Sequence, residues 1–279
     1  MGRRRAGHSA LLMSRDRWRP GKHMQPTREP TREPGREEDE IVRLRSFPSR
    51  LDHTNLRQDA TEADIEMLCK EAIENRFYAV CVNPCYAALA RDLLFAGTVK
   101  LCVVAGFPLG ANTAVTKLLE TKQALQLGAD EIDVVMNVGF FKSGKTAEVA
   151  KELAQVVGEI KLASPDKICK VIIETALLSR PEIHLACRIV DESGADFVKT
   201  STGFCQAGGA TVEALEEIHR HRGRLKVKAA GGIRDLETAL AMLRAGADRL
   251  GVSQSVSILS ELRKRYPELQ ITGGRKAGS

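Results

Sequence analysis

The chain has 279 residues, 43% of them hydrophobic and 28% charged, a balance that supports one sizeable buried core and excludes disorder throughout. No apolar run reaches the ~20 residues of a membrane-spanning helix: the stretch from Leu101 to Thr116 is uncharged but broken by Gly106, Pro108 and Gly110. Of the formal net charge of +6, residues 1–48 carry +5, from 12 Lys/Arg against 7 Asp/Glu, so the rest is nearly neutral and no nucleic-acid partner is expected.

Residues 1–48 open the chain with a short repeat, Pro26-Thr27-Arg28-Glu29-Pro30-Thr31-Arg32-Glu33-Pro34, then a charge run from Arg36 to Glu40. With almost nothing that can build a core, this segment is expected to be a disordered basic extension. Its apolar run, Ala10 to Met13, is too short for an export signal, and Ala6 stands where a myristoylation motif has Ser or Thr. The seven cysteines are odd in number, dispersed and mostly inside apolar segments, unlike a disulfide framework, so a cytoplasmic setting is expected.

From residue 49 onward, β-rich runs alternate with segments of helical periodicity. The predicted strands are 50–54, 78–82, 100–105, 131–137, 170–175, 197–200, 225–229 and 249–253. Between the fourth and fifth lies the clearest helix, with Val149, Leu153, Val156, Val157 and Ile160 on one apolar stripe. Gly-Ala-Asp occurs at 128–130, 194–196 and 246–248, each time after a helical stretch and before a strand, where glycine ends the helix in a left-handed turn. Eight such units in about 220 residues predict a closed (β/α)8 TIM barrel over 49–266, with a flexible tail over 267–279. An open doubly wound sheet is the alternative.

Charged residues inside strand patterns are the informative exceptions, because barrel chemistry sits at the C-terminal strand ends. Asp133 interrupts the fourth strand, Lys170 opens the fifth, Lys199 closes the sixth and Lys228 lies near the end of the seventh. Any one lysine alone is read as snorkelling outward. Together, Lys199 and Lys228 on adjacent strands bring two ammonium groups near one another, which favours the free amine needed to attack a carbonyl. Asp133 is read either as a proton-transfer group or as a salt-bridge partner of Lys170 or Lys228. Gly231-Gly232 and Gly251-Val252-Ser253 each lead into a helix and expose backbone N–H groups suited to an anion. A phosphorylated carbonyl substrate is the reading these features share. Of the six histidines, only His53 falls near a strand end, while His184, His219 and His221 belong to helical stretches, so no catalytic metal is expected.

Seven ordered blocks carry a family resemblance. Leu51-Asp52-His53-Thr54, Val80 to Pro84, Gly106 to Gly110, Gly128 to Val135, Lys170 to Thr175, Gly194 to Phe204 and Lys228 to Gly232 resemble the motifs of the deoxyribose-phosphate aldolases over residues 49–260. The resemblance implies a cofactor-free class I aldolase that interconverts 2-deoxy-D-ribose 5-phosphate with acetaldehyde and D-glyceraldehyde 3-phosphate. It implies Lys199 as the Schiff-base lysine, Lys228 as the lysine that tunes it, and Asp133 as the proton-transfer carboxylate. Asp52, Thr200, Gly203, Gly231, Gly232, Ser253 and Lys170 are the expected substrate-binding residues, and a homo-oligomer, dimer or tetramer, is the expected assembly. The segment after the eighth strand departs from the family's Gly-Thr-Ser-Ser: here it reads Gly251-Val252-Ser253-Gln254, one hydroxyl fewer on the phosphate side. Cys81 lies in a family block and is read as a packing residue rather than a reactive thiol.

Overall fold

A computed structural model describes residues 44–95 and 97–271. The expectations for 1–43 and 272–279 lie outside the described residues. Eight parallel strands, β1 (Leu51–Asn55), β2 (Ala79–Val82), β3 (Lys100–Ala105), β4 (Glu131–Val135), β5 (Ile168–Ile172), β6 (Phe197–Lys199), β7 (Lys226–Ala230) and β8 (Arg249–Val252), pair in chain order, and β8 pairs back with β1. The barrel is closed, and the open sheet is excluded. Around it run α1 (Glu62–Asn75), α2 (Ala87–Leu94), α3 (Ala114–Gln126), the single turn α4 (Val138–Lys142), α5 (Thr146–Ala163), α6 (Arg180–Glu192), α7 (Val212–His221), α8 (Leu236–Arg244) and α9 (Ser255–Arg265).

The strands sort their side chains by alternation. Leu51, Leu101, Ile132, Val171, Val198 and Leu250 belong to the apolar layer shared with the helices. Their neighbours along each strand turn into the lumen, where Asp52, Glu131, Asp133, Lys170, Lys199, Lys228 and Arg249 are all buried. The stripe predicted on α5 is buried as a set, and it carries a buried Glu152 that pairs with the fully buried Lys117 of α3 at 2.5 Å.

The three Gly-Ala-Asp repeats perform one construction three times. Gly128, Gly194 and Gly246 have φ of +90°, +88° and +100°, the left-handed turn that ends each preceding helix. The aspartate then accepts a backbone N–H from the preceding strand: Asp130 from Leu101, Asp196 from Cys169 and Asp248 from Val227, at 2.8–2.9 Å. Each also pairs with a cation, Arg91, Lys161 and Arg222 respectively. A carboxylate thus ties neighbouring strands together at the N-terminal end of the barrel.

Three sequence expectations are corrected. Leu44 and Phe47, assigned to the extension, are buried in the core, and Phe47–Arg50 forms a 3-10 turn, so the packed body starts before residue 49. Their apolar surface is what fastens this segment beneath the barrel. At the other end, Leu269 and Ile271 pack against the core, so the chain past 266 is anchored as far as it is described. Lys170, expected to open β5, sits in its middle, because the strand begins at Ile168.

Candidate active site

The lumen is an ionic column. At its floor Arg249 donates from Nε to Asp52 and from Nη1 and Nη2 to Glu131, each at 2.9 Å, while its guanidinium lies 3.7 Å from the centre of the Tyr78 ring. Above it, Lys170 reaches Glu131 at 2.6 Å and Asp133 Oδ1 at 2.7 Å, and Lys228 reaches Asp52 Oδ2 at 2.6 Å and Asp133 Oδ2 at 2.7 Å. At the top, Lys199 Nζ donates to the same Asp133 Oδ2 at 2.9 Å. The register explains the convergence, since Lys199 lies beside Lys228 and Asp133 beside Lys170 on paired strands.

Burial alone would raise the pKa of Asp133, but Lys170, Lys199 and Lys228 outweigh it and hold the carboxyl well below the usual range. For Lys228, burial opposes the ammonium form, and Asp133 with Asp52 overcomes it, holding the pKa above the ordinary lysine range. Lys170 behaves alike, through Asp133, Cys102 and Glu131. Lys228 and Lys170 therefore stay charged. Among the buried residues of the eight strands, three carboxylates face four cations. The column is neutral when Lys199 is a free amine, and Asp133 then still keeps two ammonium partners.

The mouth is a cavity of about 260 Å³ whose lining includes Lys199, Gly203, Gly231, Gly232 and Ser253, five of the expected site residues. Lys199 is the only member of the ionic column among its lining groups. Asp133, Lys228, Lys170 and Asp52 lie behind it, and Thr200 is buried beside β7, where its hydroxyl accepts from the Ala230 N–H at 3.1 Å. Gly231 and Gly232 have φ of +83° and +80°. Gly203, Gly209 and Gly231 pack backbone to backbone, so a Cβ at Gly209 would overlap the Gly231 carbonyl. Asp235 caps the next helix, α8, accepting from the Thr238 N–H at 2.7 Å. Ser253 and Gln254 line the cavity just before α9.

The match to known proteins follows this geometry. The model of the DeoC/LacD family of aldolases matches residues 49–260. The chain belongs to that family. A deoxyribose-phosphate aldolase of Brevibacillus brevis is 49% identical over 230 residues, covering 82% of this chain and 96% of that one. The deoxyribose-phosphate aldolase of Caldanaerobacter subterraneus subsp. tengcongensis is 47% identical over 223 residues, covering 80% and 96%. Among solved structures, the tetrameric deoxyribose phosphate aldolase of Aeropyrum pernix superposes with a TM-score of 0.74 at 33% identity, over 81% of this chain and 95% of that one.

Several members of this aldolase's site escaped sequence reasoning. Glu131 and Arg249 stand at strand starts, which read as solvent-facing; only the spacing of Glu131 and Asp133, two apart and so on one face, marks them as companions. Arg57 and Arg234 line the mouth and add positive charge that Ser253 and Gln254 lack. Glu174, in a left-handed conformation at φ +53°, holds the loop after β6 by accepting from the Thr202 N–H and hydroxyl, the latter at 2.5 Å. Cys81 is fully buried beside Leu56, Cys102 and Val104. His53 is held between Glu71 at 2.8 Å and Ser255 at 3.1 Å, away from the cavity. All seven cysteines are free thiols, and among the described residues no helix is long and apolar enough to cross a membrane.

Proposed function

We propose that this chain reversibly cleaves 2-deoxy-D-ribose 5-phosphate to acetaldehyde and D-glyceraldehyde 3-phosphate through an imine on Lys199, with no cofactor. One observation carries the assignment of roles: of the three lysines bound to Asp133, Lys199 alone opens onto the mouth cavity. The sugar phosphate rests against the backbone of Gly203, Gly231 and Gly232 and the Ser253 hydroxyl, with Arg57 and Arg234 balancing its charge. Lys199, as free amine, adds to the C1 aldehyde of the open-chain sugar, and loss of water with uptake of one proton from solvent leaves a protonated imine; the final hydrolysis returns that proton. Its positive charge forms on the nitrogen that stands 2.9 Å from Asp133.

Acetaldehyde takes two carbons, so the bond that breaks is C2–C3, β to the imine carbon. Its electron pair moves into the imine to form an enamine, and the C3 hydroxyl proton leaves through a water to Asp133 as glyceraldehyde 3-phosphate departs. Reprotonation at C2 and hydrolysis release acetaldehyde and the free amine. Lys228 and Lys170 keep Asp133 paired throughout, so no step strands a buried charge. By the same reading the chain works in the cytoplasm as a homo-oligomer, dimer or tetramer. Borohydride reduction in the presence of acetaldehyde or deoxyribose 5-phosphate, followed by peptide mapping, is expected to mark Lys199. Lys199→Leu should abolish the trapping, and undiminished trapping in that variant would overturn the assignment.

A further inference from the structure

On the outer face of the barrel, α6 and α7 pack side by side and bring together three side chains the aldol chemistry does not use. His184 of α6 and Glu217 and His221 of α7 place their ligand atoms all within 4.8 Å of one another. Glu217 and His221 are one helical turn apart, so both project from one face of α7 toward α6. The two imidazoles stack, with centroids 3.5 Å apart and 27° between planes, and His184 Nε2 lies 2.7 Å from Glu217 Oε2.

The carboxylate is prepared for this role. Glu217 is buried, and its other oxygen, Oε1, accepts from Arg220 at 2.6 Å and lies 3.6 Å from Arg180, which leaves Oε2 facing the rings. His221 is the last residue of α7, where the unpaired carbonyls of the helix end favour a cation and offset part of the arginine charge.

We propose that His184, Glu217 and His221 form a binding site for a divalent transition ion of the zinc class, with water completing the coordination. Two imidazoles and one carboxylate are a donor set that suits zinc and disfavours magnesium or calcium. Ligands at ~2.1 Å in tetrahedral array stand about 3.4 Å apart, so the His184–Glu217 pair, now at 2.7 Å, opens by roughly 0.7 Å, within reach of small side-chain rotations. The ion ties α6 to α7. None of the three residues lines the mouth, so the site is independent of catalysis.

The test is calorimetric titration of Zn2+ into the full chain, stripped with EDTA and exchanged into a non-chelating buffer at pH 7.5, beside H184A, H221A and the double variant. One equivalent is expected to bind with micromolar affinity, and each single variant should bind about tenfold more weakly, with aldolase activity unchanged in all three. Co2+ should give the visible absorption of a low-coordinate site in the unmodified chain only. Equal Zn2+ affinity in the unmodified chain and the double variant would overturn the proposal, as would an unmodified chain that binds no Zn2+ in that range.

Discussion

Arg249→Met removes the floor of the ionic column while nearly preserving the volume of the side chain's stem. Arg249 is 5% exposed and donates to Asp52 and Glu131, so its loss takes one of three cationic partners from Asp52 and one of two from Glu131. Breaking a buried ion pair from one side costs about 3–5 kcal/mol; because Lys228 and Lys170 still hold Asp52 and Glu131 at 2.6 Å each, about 3 kcal/mol is expected. For a domain of this size that lowers Tm by roughly 6–12 °C. Adding Glu131→Gln removes the surplus negative charge, so the double variant should be less destabilised than the sum of the single changes by about 1–2 kcal/mol. Catalysis should follow the same charge balance. With Arg249 gone, the column holds one carboxylate more than Lys170 and Lys228 can balance, so kcat falls with little change in KM, and Glu131→Gln restores it. Circular dichroism melts and steady-state kinetics on the four proteins decide the matter. A Tm drop under 2 °C, or strictly additive effects on both stability and kcat, would refute the charge-balance reasoning.

Stability should fall at both ends of the pH scale. Asp52, Glu131 and Asp133 are all held below their ordinary values of 3.8, 4.5 and 3.8, so their contribution is present above those values and is lost as pH drops beneath them. Burial pushes the thiols of Cys169 and Cys187 up to about 12 and that of Cys69 up to about 11, from an ordinary 9.0, so their contribution is full below pH 9 and is lost as pH rises through the folded values. Thermal melts from pH 3 to pH 11 check both limbs, and a flat profile above pH 9 would contradict the second. Gly209→Ala pushes a methyl group into the Gly231 carbonyl, which should cost about 1–3 kcal/mol and raise KM for the sugar phosphate severalfold; unchanged KM would remove this contact from the phosphate side.

The eight strands were legible because each is an apolar run closed by glycine or a polar end, and periodicity survives small errors in boundaries. Asp133, Lys199 and Lys228 were legible as charges where hydrocarbon belongs. Lys170 was displaced because Ile168 and Cys169 follow Pro165-Asp166-Lys167 and read as the end of a loop. Arg249 was not legible: at the first position of a strand, the same residue fits an exposed end and a buried floor equally well, and only closure of the barrel sets it opposite Glu131 on β4. Phe47 was hidden by its surroundings, a lone aromatic beside a long polar stretch whose burial depends on surfaces assembled later in the chain. His184 and His221 were visible as helical histidines, but nothing local reports that α6 and α7 bring them together.

Most of the hydrocarbon of this protein lies in the annulus between strands and helices, and the inside of the barrel holds an ionic column beside a small apolar cluster of Leu56, Cys81, Cys102 and Val104. Efforts to harden the enzyme against heat by repacking the lumen with larger aliphatic groups would dismantle the carboxylates and ammonium groups gathered around Asp133 behind the mouth. The annulus offers no such conflict, and sites such as the interface of α3 with α5, where Lys117 and Glu152 are sealed from water, are where a well-packed apolar pair can replace charge without touching turnover.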